Sequence, residues 1–475
     1  MSRTSKPFGL PPAVVIVSTA SGVALGLAYS LSAMLVCFGL AVPFLFAWAG
    51  RGVPPRERRW VLGLLGAAMA ARLLTLAVLF MLTDHERQAF ATLFGDEMHI
   101  TLTSLWLRNI ALKIPIEPFY VFAVYDSYGS SGFIWMVAFL QLFIGPSPYG
   151  IHLLNVALHL TGCVALSRVV RSAYGRGSAM CVLITLLFWP TLLIWSVSAL
   201  KETSVFFLNA MLVTAVLAAT KANTWRGRVL LVGIAIVLLW AIGTLRSAVL
   251  AITLAGVIGA VAGYVATRLP RLAAACAVLC LFTVGVGLTS ARVQEPIVAR
   301  AREAARYHLG SVYTPGSSYR LLDERFYRVG GDEVLASMSV EEATRFAIRA
   351  VVSFWVTPAP WQTASAAQLA YVPQQILWYL AAVLAVAGSV VGLRKNLPLT
   401  AMLLGYTLAG MGLIGLYNGN VGTLVRIRDI VVPMVLCLSG VGASALLQKW
   451  ADRFMPARGA GQPVAAAPSL AFMTK

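Results

Sequence analysis

The stretch WVLGLLGAAMAARLLTLAVLFML, residues 60–82, is apolar apart from Arg72 and Thr75. A run of this kind, about 17 to 25 residues long, can cross the hydrocarbon core of a bilayer as one helix. Similar runs recur along the whole chain, in which 59% of residues are hydrophobic, 12% are charged and the mean hydropathy is +0.80. This composition excludes an ordinary soluble domain and predicts an all-α, polytopic integral membrane protein.

We predict about twelve transmembrane helices from these runs. Their approximate limits are 11–28, 31–49, 60–82, 150–167, 178–198, 203–220, 229–245, 248–266, 272–290, 374–393, 399–416 and 430–447. Because the first run continues into further apolar sequence, we expect it to be retained as an anchor rather than cleaved as a signal peptide.

The predicted spans divide the chain into five regions. These are an N-terminal hairpin (1–59), a transmembrane core (60–290) that contains the first outer loop (83–149), an extracytoplasmic or interfacial segment (291–373), C-terminal transmembrane helices (374–455) and a disordered cytoplasmic tail (456–475).

Basic residues are distributed unevenly between the two faces that these spans define. With the N-terminus inside, one face carries 20 basic residues and two acids, Glu57 and Asp452. Because cytoplasmic loops are enriched in Lys and Arg, we expect this face and both termini to be cytoplasmic. Membrane topology therefore explains the net charge of +19, and basic residues dispersed in this way do not predict nucleic-acid binding.

An acidic cluster, Phe94-Gly95-Asp96-Glu97-Met98-His99, lies in the first outer segment. Its two carboxylates and imidazole can accept a proton, orient a hydroxyl or hold a divalent metal such as Mg²⁺ or Mn²⁺. Asp126, in the turn YDSYG, places another carboxylate on the same face, where it either joins a paired-acid site or opens the turn through its own side chain. The alternative is that the cluster has no chemical role and that its acids only keep a membrane loop soluble.

A second group of charged residues lies at the outer ends of spans: Lys201, Glu202, Arg246, Arg426 and Arg428. Outer arginines run against the positive-inside bias, so a local partner has to favour them. Guanidinium groups bind phosphate through two parallel hydrogen bonds, and we therefore expect this group to receive a lipid phosphate. The alternative is that these side chains anchor helix ends, by pairing with Asp429 or with phospholipid headgroups.

The order of elements resembles that of a known family. A span that contains an arginine (AARL, 70–73) comes before the outer Gly-Asp-Glu (95–97). The elements that come after it are, in chain order, LFIG (142–145), IHLLN (151–155), YGR (174–176), Pro190 and Glu202. This order resembles the membrane glycosyltransferases of the GT-C class, particularly the protein mannosyltransferase and aminoarabinose transferase branch. Asp96-Glu97-Met98-His99 is similar to that branch's Asp-Glu-x-His. The resemblance covers roughly residues 60–220, the hairpin at 11–49 is additional, and Lys201-Glu202 matches only loosely.

The resemblance implies a GT-C-like fold and a transferase that moves a sugar from a polyprenyl- or dolichyl-phosphate donor to a glycan, lipid or protein acceptor. The reaction would take place at the outer face of a bacterial-type inner membrane. By resemblance, Asp96 and Glu97 act as catalytic base or position the acceptor. We expect Glu97 or His99 to assist Asp96 or to hold a metal.

Two alternative functions remain open. One is an exopolysaccharide or O-antigen polymerase of related architecture; the other is a lipid or solute transporter or flippase. A transporter is expected to place charged residues near mid-bilayer and to contain matching halves with broken helices. In this sequence only Arg72 lies well inside a predicted span.

Overall fold

A computed structural model describes residues 33–87, 94–125, 132–147, 149–314, 316–328, 331–362 and 366–454, together with Ser18, Ser21 and Gly22. Secondary structure in these residues is helical, apart from an isolated antiparallel β-bridge between Ser318 and Asn420. Nearly all of the predicted span 11–28, the turn that contains Asp126 and the tail at 456–475 lie outside the described residues.

The α-helices are, in chain order, α1 (Ala33–Gly50), α2 (Pro55–Leu82), α3 (Gly95–Ala111), α4 (Pro118–Tyr125), α5 (Gly132–Ile144), α6 (Gly150–Tyr174), α7 (Arg176–Phe188), α8 (Pro190–Ser196), α9 (Glu202–Lys221), α10 (Trp225–Leu245), α11 (Ser247–Arg268), α12 (Pro270–Thr289), α13 (Ala291–Val312), α14 (Gly331–Ala336), α15 (Val340–Val356), α16 (Ala366–Lys395), α17 (Leu397–Tyr417), α18 (Val421–Arg428) and α19 (Val432–Phe454).

Ten of the described helices are long and apolar enough to cross a membrane: α1, α2, α6, α9, α10, α11, α12, α16, α17 and α19. The pair α7 and α8 meets the same criterion as one broken span, bent by 59°. Each predicted span from 31–49 onward overlaps one of these helices or the broken pair. The predicted all-α, polytopic membrane architecture is therefore confirmed.

Contacts between loops and helix ends define two ends of the bundle. At one of them, the basic end, Arg171 pairs with Glu57 and Lys221 donates a hydrogen bond to Ser172. At the other, the cluster end, Asp96, Glu202 and Arg426 are in contact. The residues with candidate chemistry thus lie opposite the most basic loops.

Two helix pairs in the bundle pack so closely that only glycine fits at the contact. A Cβ at Gly259 of α11 would lie 2.3 Å from the carbonyl oxygen of Ala401 in α17. One at Gly388 of α16 would lie 1.8 Å from the carbonyl oxygen of Leu438 in α19. Small residues at such positions let transmembrane helix backbones approach, which holds the C-terminal half of the bundle together.

The break between α7 and α8 follows from Pro190, which has no N–H to donate to Leu186 four residues earlier. The Leu186 carbonyl lies 3.3 Å from Nε2 of His159, and the Leu187 carbonyl accepts a hydrogen bond from Nη2 of Arg72 at 2.9 Å. Arg72 is fully buried and also donates from Nε to the Ser196 hydroxyl at 2.8 Å. Its intramembrane charge therefore bonds to both halves of the broken helix, at Leu187 in α7 and at Ser196 in α8.

The acidic cluster differs from expectation, because it was predicted to lie in the first outer loop (83–149) and is instead part of a helix. Helix α3 begins at Gly95 and places Asp96 and Glu97 in its first turn. Negative side chains are stabilised at this position by the partial positive charge of a helix N-terminus. A short apolar helix, α5, follows in the same predicted loop.

The described residues of the predicted extracytoplasmic or interfacial segment (291–373), here termed the second outer segment, fold around a small hydrophobic core of their own, which includes Val298, Phe326 and Phe346. Its helix α15 begins with a capping box, in which the side chains of Ser339 and Glu342 bond to each other's backbone N–H. The predicted span 374–393 begins earlier than expected, because α16 begins at Ala366 and continues through Pro373.

Candidate functional site

The site is organised by α18, a helix of eight residues that carries Arg426. The Asn420 side chain caps α18 by accepting a hydrogen bond from the Thr423 N–H at 3.1 Å. The backbone just before α18 pairs with the second outer segment, where the Tyr319 N–H donates to the Gly419 carbonyl at 2.9 Å. These contacts determine where the short helix lies and hence where Arg426 points.

The Arg426 guanidinium bridges two acids that are far away in sequence. Its Nη1 lies 3.0 Å from Oδ2 of Asp96, while Nε and Nη2 lie 3.1 Å and 3.0 Å from Oε1 of Glu202. The guanidinium also lies over the Trp195 ring, 5.6 Å from its centroid. The Glu202 side chain is 7% exposed and that of Asp96 is 65% exposed. Glu202 therefore anchors Arg426 from below, and Asp96 presents its carboxylate to water.

Lys201 and Arg246 complete a cationic group around these acids. Burial lowers the pKa of Lys201, and the charge of nearby Arg246 lowers it further. Burial also lowers the pKa of Arg246, against the opposing effect of Glu202. Within the described part of the chain, neither side chain forms an ion pair or donates a hydrogen bond. Three cations thus surround two carboxylates, which leaves the group with net positive charge.

The pKa of Arg426 moves in the other direction. Burial alone would lower the pKa of Arg426, but Glu202 and Asp96 together more than offset this effect and the net shift is upward. Arg426 consequently stays charged as the centre of the cluster.

Glu97 turns away from the cluster and into the protein. Its side chain is fully buried, with Oε2 3.3 Å from Nε2 of the equally buried His152. His99, by contrast, is exposed on α3, and Asp126 lies outside the described residues. The structure therefore brings Asp96 to Arg426, but it does not bring Glu97 or His99 to the same point.

The residues at the acidic cluster do not fit a divalent metal. Across the described ranges, no group of three or more His, Cys, Asp or Glu side chains is placed to hold a metal ion. Asp96 instead contacts a cation of the protein, Arg426, and Glu97 faces His152. We derive no step through Mg²⁺ or Mn²⁺.

Arg428 lies away from the cluster, although the sequence assigns it to phosphate binding together with Arg426. It is 1% exposed, and its guanidinium lies over the Trp378 ring at 4.8 Å. Its Nη atoms donate to the carbonyls of Phe354 and Thr357 (3.1 Å and 2.9 Å), the hydroxyl of Tyr371 (2.8 Å) and Oε1 of Gln375 (3.0 Å). This geometry is that of an anchor joining α15, α16 and α18, so we leave Arg428 out of the phosphate site.

The acid behind the cluster, Asp429, was considered from the sequence only as a partner of the outer arginines, and its contacts are different. Its Oδ1 accepts a hydrogen bond from the Thr191 hydroxyl at 2.8 Å, and its Oδ2 accepts one from Nε1 of Trp195 at 2.6 Å. Burial raises the pKa of Asp429 to about 6. With Glu202 and Trp195 it lines a cavity of about 20 Å³, enough for about one water molecule. The Arg-x-Arg-Asp sequence placed Asp429 beside the candidates, but gave no sign that it faces Trp195.

Comparison of the chain with protein-family models, with curated proteins and with solved structures finds no match.

Proposed function

We propose that the protein is a membrane glycosyltransferase that moves a sugar from a polyprenyl-phosphate-linked donor to a glycan, lipid or protein acceptor. The observation that carries the proposal is the convergence of one exposed carboxylate, Asp96, with three cations, Lys201, Arg246 and Arg426. This arrangement supplies a base and an anion site side by side.

The cations suit the phosphate of the donor. Lys201 and Arg246 are half-buried and keep their donor groups free of ion pairs with the described residues, so an incoming phosphate does not have to displace an acid. Charge-assisted hydrogen bonds are strongest where water is partly excluded, and an arginine can hold a phosphate through two of them. The same cations stabilise the polyprenyl phosphate as it leaves.

Asp96 suits the acceptor. Its carboxylate takes the proton of an acceptor hydroxyl while that oxygen attacks the anomeric carbon of the donor sugar. The new glycosidic C–O bond forms as the bond from the anomeric carbon to the phosphate oxygen breaks, with inversion at that carbon. Arg426 holds Asp96 in place through one ion pair, and Glu97 with His152 positions the first turn of α3.

The cluster would work at the extracytoplasmic face of a bacterial-type inner membrane. The charge asymmetry supports this orientation, because the basic end has the loops that the positive-inside rule assigns to the cytoplasm. The donor lipid would then present its phosphate at the outer ends of α9, α10 and α18.

A cellular assay tests the function whichever sugar is transferred. Cells that lack the protein are complemented with the wild type, with Asp96→Asn or with Asp84→Asn, a matched change of an exposed acid at the outer end of α2. Lipid extracts are analysed by mass spectrometry for polyprenyl-phosphate-linked sugars. We expect an unused lipid-linked sugar to accumulate without the protein and with Asp96→Asn, but not with Asp84→Asn.

Other outcomes separate the alternatives. Accumulation of lipid-linked oligosaccharide repeats, rather than single sugars, would identify a polymerase. Accumulation of a lipid-linked sugar that a membrane-impermeant oxidant applied to intact cells does not modify before extraction would identify a transporter or flippase. Complementation by Asp96→Asn equal to that by the wild type would remove Asp96 from the site.

A further inference from the structure

The basic end of the bundle contains a second concentration of positive charge around a cavity of about 350 Å³. The cavity lies between α1, α2, α6 and α7, and its lining includes Arg51, Arg168, Arg171 and Glu57. Its volume falls in the range of pockets that bind small molecules. It is at the opposite end of the bundle from Asp96, so the proposed transferase site does not account for it.

Two of the arginines are held in place by the protein. Arg168 donates from Nη1 to the carbonyls of Trp48 and Arg51 at 2.9 Å and 2.8 Å. Arg171 forms two parallel hydrogen bonds with Glu57, at 2.7 Å and 3.1 Å. Because Arg168 and Arg171 are three positions apart on α6, they share one face of the helix. The cavity wall is thus a preformed cationic surface.

The charges of this wall do not balance. Three guanidinium groups line the cavity, and Glu57 is the one carboxylate that lines it among the described residues. In the same part of the chain, no side chain pairs with the Arg51 guanidinium, and Nε and Nη2 of Arg168 make no hydrogen bond. Like charges held together in a partly buried cavity repel, and an anion that fills it removes this cost.

We propose that this cavity binds a phosphate group, supplied either by the headgroup of an anionic lipid in the adjoining leaflet or by a soluble phosphate ester. Arginine matches phosphate oxygens in geometry as well as charge. Basic pockets between transmembrane helices at the cytoplasmic side are sites where anionic lipid headgroups bind. Arg51 and the open edge of Arg168 are the donors that contact the phosphate, and Glu57 keeps Arg171 in position beside them.

Native mass spectrometry of the full chain in detergent tests the proposal. The probes are dihexanoylphosphatidylglycerol, dihexanoylglycerol, which is uncharged and has no phosphate, and glycerol 3-phosphate. We expect saturable binding of an anionic probe but not of dihexanoylglycerol. Binding of the lipid alone would identify a headgroup site, and binding of glycerol 3-phosphate with equal affinity would identify a site for soluble phosphate esters.

Variants assign the binding to this cavity. Arg51→Gln removes an exposed guanidinium without breaking a hydrogen bond of its side chain, and it should weaken binding about tenfold, the usual effect of losing a charge-assisted contact. Arg168→Lys should also weaken binding of the anionic probe, because an ammonium group cannot bond to both carbonyls and the phosphate. Arg176→Gln is the control, an exposed arginine at the same end that does not line the cavity. Equal binding by the wild type and Arg51→Gln, or equal binding of the uncharged lipid, would overturn the proposal.

Discussion

The Arg426 bridge leads to a prediction about how strongly each of its two acids is coupled to it. A double-mutant cycle over Glu202→Gln and Arg426→Met isolates one coupling energy, and a cycle over Asp96→Asn and Arg426→Met isolates the other. The arginine approaches both acids at similar distances, 3.0 Å to each at the closest. Burial therefore decides the difference between the two couplings.

The magnitudes follow from the exposure of each carboxylate. Glu202 is 7% exposed, receives a hydrogen bond from Nε of the guanidinium and forms an ion pair with Nη2, so we expect a coupling of about 1.5–3 kcal/mol. Asp96 is 65% exposed and receives one, so water and salt screen the pair and we expect about 0.2–1 kcal/mol. A firmly anchored Arg426 and a loosely held Asp96 are what the proposed mechanism requires, because Asp96 has to take a proton from the acceptor.

The free energy of unfolding can be measured by equilibrium titration from mild detergent into dodecyl sulfate, followed by tryptophan fluorescence. Each cycle needs the wild type, two single variants and the double variant. If the Asp96 coupling equals or exceeds the Glu202 coupling, Asp96 is a structural partner of Arg426, and the argument from burial fails.

Three further predictions concern the fold. Arg72→Met leaves the Leu187 carbonyl and the Ser196 hydroxyl without their donor, so it should lower the free energy of unfolding by about 1–3 kcal/mol in the same titration. The control Thr75→Val, one turn later on α2, should change this free energy little. Asp429 binds a proton more tightly in the folded protein, because its pKa is about 6 there and 3.8 for the ordinary group. Its contribution to stability is therefore present below about pH 4 and is lost as the pH rises through about 6, so that the melting temperature falls over this range. Asp429→Asn should make this fall smaller. In a cysteine-free background, a membrane-impermeant thiol reagent applied to intact cells should label a cysteine at position 319 and not one at position 226; the reverse pattern would invert the topology.

Span positions and the break at Pro190 were predictable because both depend on local properties of the chain. A continuous apolar run of sufficient length crosses the membrane as a helix, and a proline inside a helix removes the backbone hydrogen bond to the residue four positions earlier. The start of α3 was less predictable. Glycine at position 95 weakens a helix by itself, while the acids that follow it favour a helix N-terminus, and the second effect prevails.

The candidate site was predictable as a set of residues on one face, but not as a set of contacts. Alternation of spans places Glu202, Arg246 and Arg426 at the same end of the bundle, yet lateral packing alone decides that Arg426 meets Glu202. That Arg426 and Arg428 point in different directions could in principle have been predicted from the sequence. Residues two apart on a helix point to nearly opposite sides, so a helix at 421–428 cannot direct both arginines to one phosphate. Nothing in the sequence pairs Glu97 with His152 or Asp429 with Trp195, because these contacts form between helices that are distant in the chain.

The central claim, that the cluster is a phosphate site for a polyprenyl lipid, is tested most directly by binding of undecaprenyl phosphate to the purified protein in nanodiscs. Undecaprenol, the same lipid without the phosphate, is the reference ligand. The double variant Lys201→Gln/Arg246→Gln is compared with Arg292→Gln/Arg300→Gln, which removes two exposed arginines from the second outer segment. We predict that the wild type and the control bind undecaprenyl phosphate and discriminate against undecaprenol, and that Lys201→Gln/Arg246→Gln binds the phosphate about 100-fold more weakly. Equal binding of both lipids, or equal affinity of the two double variants, would contradict the claim.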